Sequence, residues 1–153
     1  MMADLQALLE QLTQYDSAND HDGLRKVREQ IVAEHPESDE SVEALYKIGL
    51  DMLFRQRQLD DAVETFGIAA KRKHPYWSLA ARTSQGICLY HQGKKQKSIF
   101  ELRKVGITET PSEHSVTALA FMETIFLNEG NLDEVERVRL QRLKQLSELI
   151  EQT

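Results

Sequence analysis

The sequence predicts an all-α fold built from four helical hairpins, and three observations carry that expectation. Apolar residues recur at spacings of three and four through eight segments, which is the period of a helix with one buried face. Turn-forming residues separate the segments, and Pro36, Pro75 and Pro111 close three of the four pairs. The residue near the start of each second helix, Leu24, Ala62, Ser98 and Val135, returns at intervals of 38, 36 and 37. A period of this length is one supersecondary unit.

The elements follow in order. Leu5, Leu8, Leu9, Leu12 and Tyr15 form one face of a helix from about Ala3 to Ser17. Asn19 to Gly23 breaks it, Asp20 is a candidate N-cap, and Leu24, Val27, Ile31 and Val32 form the next stripe before Pro36. Ser38, Asp39 or Ser41 can cap the third helix, Val42 to Gln56, which is apolar on several sides. Asp60 is expected to cap the fourth, Asp61 to Lys73, with the cations Lys71, Arg72 and Lys73 in its last turn.

Pro75-Tyr76-Trp77 opens a fifth helix that runs to about Gln92 and is rich in small residues. Gly93 and Lys94 turn the chain, and Ile99, Leu102 and Val105 carry the sixth helix to Gly106. Thr110-Pro111-Ser112-Glu113 reads as a capping box with proline at the first helical position. Val116, Leu119, Met122, Ile125 and Phe126 then mark a helix from Ser112 to Asn128. Asn131 with Glu134 starts the last helix, Leu132 to about Glu151, whose second half either caps the array or pairs with a second copy.

The two central hairpins share a pattern. Leu45-x2-Ile48-Gly49-x2-Met52, a polar turn and Ala62-x3-Phe66 are followed by Gln85-Gly86-x2-Leu89, a turn at Gly93-Lys94 and Ser98-x3-Leu102. In this the chain resembles the tetratricopeptide repeat family, over nearly its whole length and best in the middle. The outer hairpins depart from the pattern: Leu24 stands where a small residue is usual, Arg28 where an aromatic is usual, and Glu123 where the fourth repeat would carry a small residue.

The resemblance implies a single domain, a right-handed α-solenoid with hairpins at about 3–36, 38–75, 76–110 and 111–152. It also implies a concave groove lined by the first helix of each hairpin. On that register the groove receives Tyr46, Leu50 and Phe54, then Thr83, Ile87, Tyr90 and His91, then Leu127 and Asn128. Tyrosine and histidine suit such a face because each joins an apolar ring to a polar handle.

Composition narrows the function classes. A net charge of −6 over 153 residues argues against general nucleic-acid binding. The charge is uneven: residues 55–104 hold 11 Lys/Arg against 4 Asp/Glu, and the rest hold 8 against 21. Lys71, Arg72 and Lys73, and separately Lys94, Lys95 and Lys97, are candidate docking cations, though solvated helix ends explain them as well. The lone Cys88 fits a reducing, cytoplasmic setting, and no apolar run approaches the roughly 18 residues that span a bilayer.

No catalytic motif, cofactor fingerprint or metal-ligand spacing is present, and the five histidines are scattered. The expectation is a non-catalytic scaffold or adaptor, chaperone-like in profile, that holds a peptide or helical segment of a protein partner. The alternative is a self-assembling unit that dimerises through Leu140, Leu143, Leu146 and Ile150.

Overall fold

The computed structural model describes residues 2–152. Among them are eight α-helices and no strand. They are α1 (Leu5–Ser17), α2 (His21–Glu34), α3 (Asp39–Phe54), α4 (Leu59–Ala70), α5 (Trp77–His91), α6 (Lys95–Gly106), α7 (Glu113–Asn128) and α8 (Leu132–Glu151). The chain forms two compact units, residues 1–81 and 82–153, with the division inside α5.

In the first unit α1 packs on α2, α2 on α3 and α3 on α4. Leu8, Val27, Ile31 and Ala44 form one buried cluster, edged by Leu5, Leu9, Leu12, Tyr15 and Val32. Ala62 and Phe66 are fully buried on α4. In the second unit α6 packs on α7 and α7 on α8. Leu102, Leu119 and Ile125 are fully buried there, with Val135 and Val138 of α8 almost so. Leu24, Ala62, Ser98 and Val135, the residues that set the period, are all buried.

The period also appears in the backbone. Each hairpin turn passes through one left-handed residue, Asn19, Arg57, Gly93 or Gly130, at the same 38, 36 and 37 intervals. In three turns the amide after that residue bonds five residues back: Asp20 to Tyr15, Lys94 to Leu89 and Asn131 to Phe126. That closure satisfies carbonyls which a helix end leaves open. The second turn differs, since Gln58 reaches six residues back, to Met52. One residue is inserted, and the helix pair keeps its phase.

The helices start where side-chain oxygens meet open amides. Asp20 accepts from the Gly23 amide at 2.9 Å and Ser38 from the Ser41 amide at 3.1 Å. Asn131 accepts from the Glu134 amide at 3.3 Å. Each such cap is worth about 1 kcal/mol.

Three expected starts and ends shift. Gln58 rather than Asp60 precedes α4, with no side-chain cap, and Asp60 falls in the first turn. Ser112, not Thr110, caps α7: Ser112 Oγ accepts from the Ser115 amide and Ser115 Oγ from the Ser112 amide, so Pro111 lies before the helix. Two small hydroxyls complete a reciprocal box without the expected glutamate. The run Lys71 to Lys73 lies beyond the last turn of α4, because the helix ends at Ala70 and Lys73 is left-handed.

Candidate functional site

Aligning the hairpins places one pair of positions on facing helices: Leu12 and Arg28, Gly49 and Phe66, Gly86 and Leu102, Glu123 and Arg139. In the central pairs a glycine admits a large side chain. A Cβ at Gly49 would lie 2.5 Å from Phe66, and one at Gly86 would lie 2.6 Å from Leu102. Ser98 Oγ donates to the Gly86 carbonyl at 2.6 Å, which satisfies a hydroxyl with no exposed surface.

The fourth hairpin fills the same slot with charge. Arg139 meets Glu123 at 2.8 Å and Arg142 meets it at 2.6 Å. Burial alone would raise the Glu123 pKa, but the two guanidinium groups outweigh it and hold the carboxyl below its ordinary value. The first hairpin sets Leu12 opposite Arg28, and both line one small cavity.

The expected groove residues fall into two groups, one in each unit. In the first unit Tyr46 is half-buried, 5.9 Å from the Phe66 ring and 5.6 Å from Trp77. Leu50 and Phe54 line an open cavity of about 450 Å3, and Phe54 is 74% exposed. In the second unit Tyr90 and the exposed His91 pack edge-on at 5.9 Å. Leu127 and Asn128 are exposed, and the Asn128 amide donates to the Tyr90 hydroxyl at 3.3 Å. Ile87 is half-buried. Thr83 does not belong to any such face. It is 5% exposed, because it shares its side of α5 with the buried Ala80 and Gly86.

Sequence reasoning missed Phe121, which joins this second group. Its ring lies edge-on to Tyr90 at 5.7 Å and near His91 at 6.4 Å. The signal was present: Thr117, Phe121, Thr124 and Asn128 occupy one stripe of α7. Three rings and one amide thus form a half-open platform in the second unit. Edge-on ring pairs are worth about 0.5–1.5 kcal/mol each.

The candidate cations are dispersed. Lys71, Arg72 and Lys73 are exposed, and Arg72 Nη1 donates to the Pro36 carbonyl. Lys95 pairs with Glu129 at 2.7 Å, whereas Lys94 and Lys97 are exposed. On α8, Leu140, Leu143 and Ile150 are exposed and Leu146 is half-buried. The same helix buries Gln145, 2% exposed. Its carbonyl oxygen accepts from Ser115 Oγ and its amide donates to the Gly106 carbonyl, both at 2.6 Å, so the later part of α8 is tied to its own unit.

Among the described residues no three His, Cys, Asp or Glu side chains come together in a way that could hold a metal ion. No helix among them is long and apolar enough to cross a membrane. No protein-family model matches the chain, and no curated protein matches it.

Proposed function

We propose that this chain is a non-catalytic protein-binding module made of hairpins of the tetratricopeptide kind, which holds a peptide or helical segment of another protein. The observation that carries the reading is the platform of Tyr90, His91, Phe121 and Asn128. Aromatic rings with polar handles, half-exposed and held by one another, give a partner apolar area at little cost in ordering. The shared turn geometry and the repeated glycine contacts favour the repeat reading behind it.

The test is affinity capture with the full chain and with a Tyr90→Ala/Phe121→Ala variant, read by mass spectrometry and followed by binding of the purified partner. A partner held by the parent chain and lost from the variant supports the reading. Capture of none, or equal capture by both, removes it.

A second reading is self-association through α8. Leu132, Leu140, Leu143 and Ile150 all lie within about 80° of one another around that helix, on a side its buried residues do not share. Sedimentation at rising concentration separates the readings: a dimer abolished by Leu140→Glu and Leu143→Glu favours assembly, and a monomer throughout removes it.

A further inference from the structure

The α2–α3 face of the first unit carries a cation with no ion pair among the described residues. His21 and Arg28 stand two turns apart on α2, and Lys47, Leu50, Asp51 and Phe54 share one side of α3. All six line the open cavity of about 450 Å3. Asp51 is already engaged, accepting from Arg55 at 2.6 Å and from Arg25 at 3.0 Å. Arg28 is half-buried and makes no hydrogen bond or ion pair with the described residues. Among the described residues Lys47 has only the face of Trp77, 5.8 Å from the ring centre.

Burial pulls the Arg28 pKa down, and Asp16, Asp51 and Glu43 offset this only at a distance. The equivalent arginine of the fourth hairpin, Arg139, has Glu123 across the slot, whereas Arg28 has Leu12 there, with Glu40 and Glu43 lining the same small cavity but making no ion pair with it. A partly desolvated guanidinium with free N–H groups, beside an apolar floor, lacks one thing: a carboxylate supplied from outside. The surrounding unit holds 15 Asp/Glu against 9 Lys/Arg, which disfavours a polyanion such as nucleic acid. A single acid flanked by apolar groups meets no such barrier.

We infer that this cavity docks a partner segment in which an aspartate or glutamate lies near a leucine, isoleucine or phenylalanine, the acid on Arg28 and Lys47, the apolar side chain on Leu50 and Phe54. Lys47 and Phe54 are seven residues apart on one helix, about 10 Å. The two anchors of the guest are therefore about three residues apart if extended, or one to two turns apart if helical. This rests on the reading of the chain as a protein-binding module but uses a different surface from the Tyr90 platform.

The experiment is random-peptide phage display against the full chain, with enriched peptides measured by fluorescence anisotropy. Binders with an acid at that spacing from a large apolar residue are expected. Arg28→Gln and Phe54→Ser should each weaken them at least about tenfold while the circular dichroism melt stays in place. Replacing the peptide's acid by its amide should cost a similar factor against the parent chain and little against Arg28→Gln.

Enrichment of peptides without an acid, or an acid-to-amide loss equal in both backgrounds, overturns the assignment. Displacement of the peptide by millimolar inorganic phosphate as readily from Phe54→Ser as from the parent overturns it too, because a bare anion site needs no apolar floor. Binders that depend on Tyr90 and Phe121 and ignore Arg28 overturn this inference and leave the proposed function standing; no enrichment at all removes both.

Discussion

Gly49→Ala sets two opposing effects against each other, and the structure decides the sign. In an exposed helix, alanine for glycine stabilises by about 1 kcal/mol. Here the new methyl carbon would lie 2.5, 2.7 and 3.0 Å from three atoms of the Phe66 ring, far inside the roughly 3.5–4.0 Å of carbon–carbon contact. Phe66 has no exposed surface and is backed by Tyr46 at 5.9 Å, so the ring has little room to withdraw. Overpacking of this kind costs about 1–3 kcal/mol. The net expectation is a loss of up to about 2 kcal/mol once the propensity gain is subtracted.

Trp77, the single tryptophan, stacks on Tyr46 in the same unit, so a urea titration followed by its fluorescence reads this region directly. The midpoint should fall. Combining Gly49→Ala with Phe66→Leu, which shortens the obstructing side chain, should cost less than the sum of the two single changes. A higher midpoint for Gly49→Ala, or strict additivity in the double variant, would refute the close-approach account of the repeat.

Other outcomes follow from buried and paired groups. Gln145→Leu leaves the Gly106 carbonyl without its donor and should cost about 1–3 kcal/mol in chemical denaturation, more than Gln141→Leu at a half-exposed position one turn earlier on the same helix. Cys88 is buried and its thiol is pushed up to about 11, so at neutral pH a thiol reagent should label the native protein at the rate of unfolding and the denatured chain at once. Asp51, held down chiefly by its hydrogen bond from Arg55, and Glu123, held down by Arg139 and Arg142 against burial, both bind a proton less readily folded than unfolded. The stability they contribute is complete above their ordinary values of 3.8 and 4.5 and disappears as pH falls through the lower folded values. The melting temperature should therefore drop from about pH 5 to about pH 3, and less steeply in Glu123→Gln.

The helices were legible because each buries one side, and that side alone writes a period into the sequence. Leu24, Ala62, Ser98 and Val135 kept phase because all four must fit between helices. What periodicity could not show is which polar residues find partners. Gln145, between Lys144 and Leu146 in a charged helix, reads as surface, yet it is buried and doubly bonded. The cap of α7 was misplaced by two residues because Thr110-Pro111 and Ser112-x2-Ser115 both satisfy local cap chemistry, and only the second has its hydroxyl geometry met. Arg28 and Glu123 stood out as departures from a repeat pattern, and the structure pairs Glu123 with Arg139 and Arg142, whereas Arg28 has Leu12 across the slot and carboxylates only beyond ion-pair distance. Phe121 was overlooked although its stripe mates were named.

The turn between α3 and α4 carries one more residue than the other three, and its closing hydrogen bond simply spans a longer ring. Lengthening this connection by a residue therefore leaves Gly49 and Phe66 in register, which makes the bend around Arg57 a natural splice point. A short epitope or a cysteine for dye attachment placed there would give a handle on the first unit, beside Phe54 and Arg55 at the edge of the Arg28 cavity.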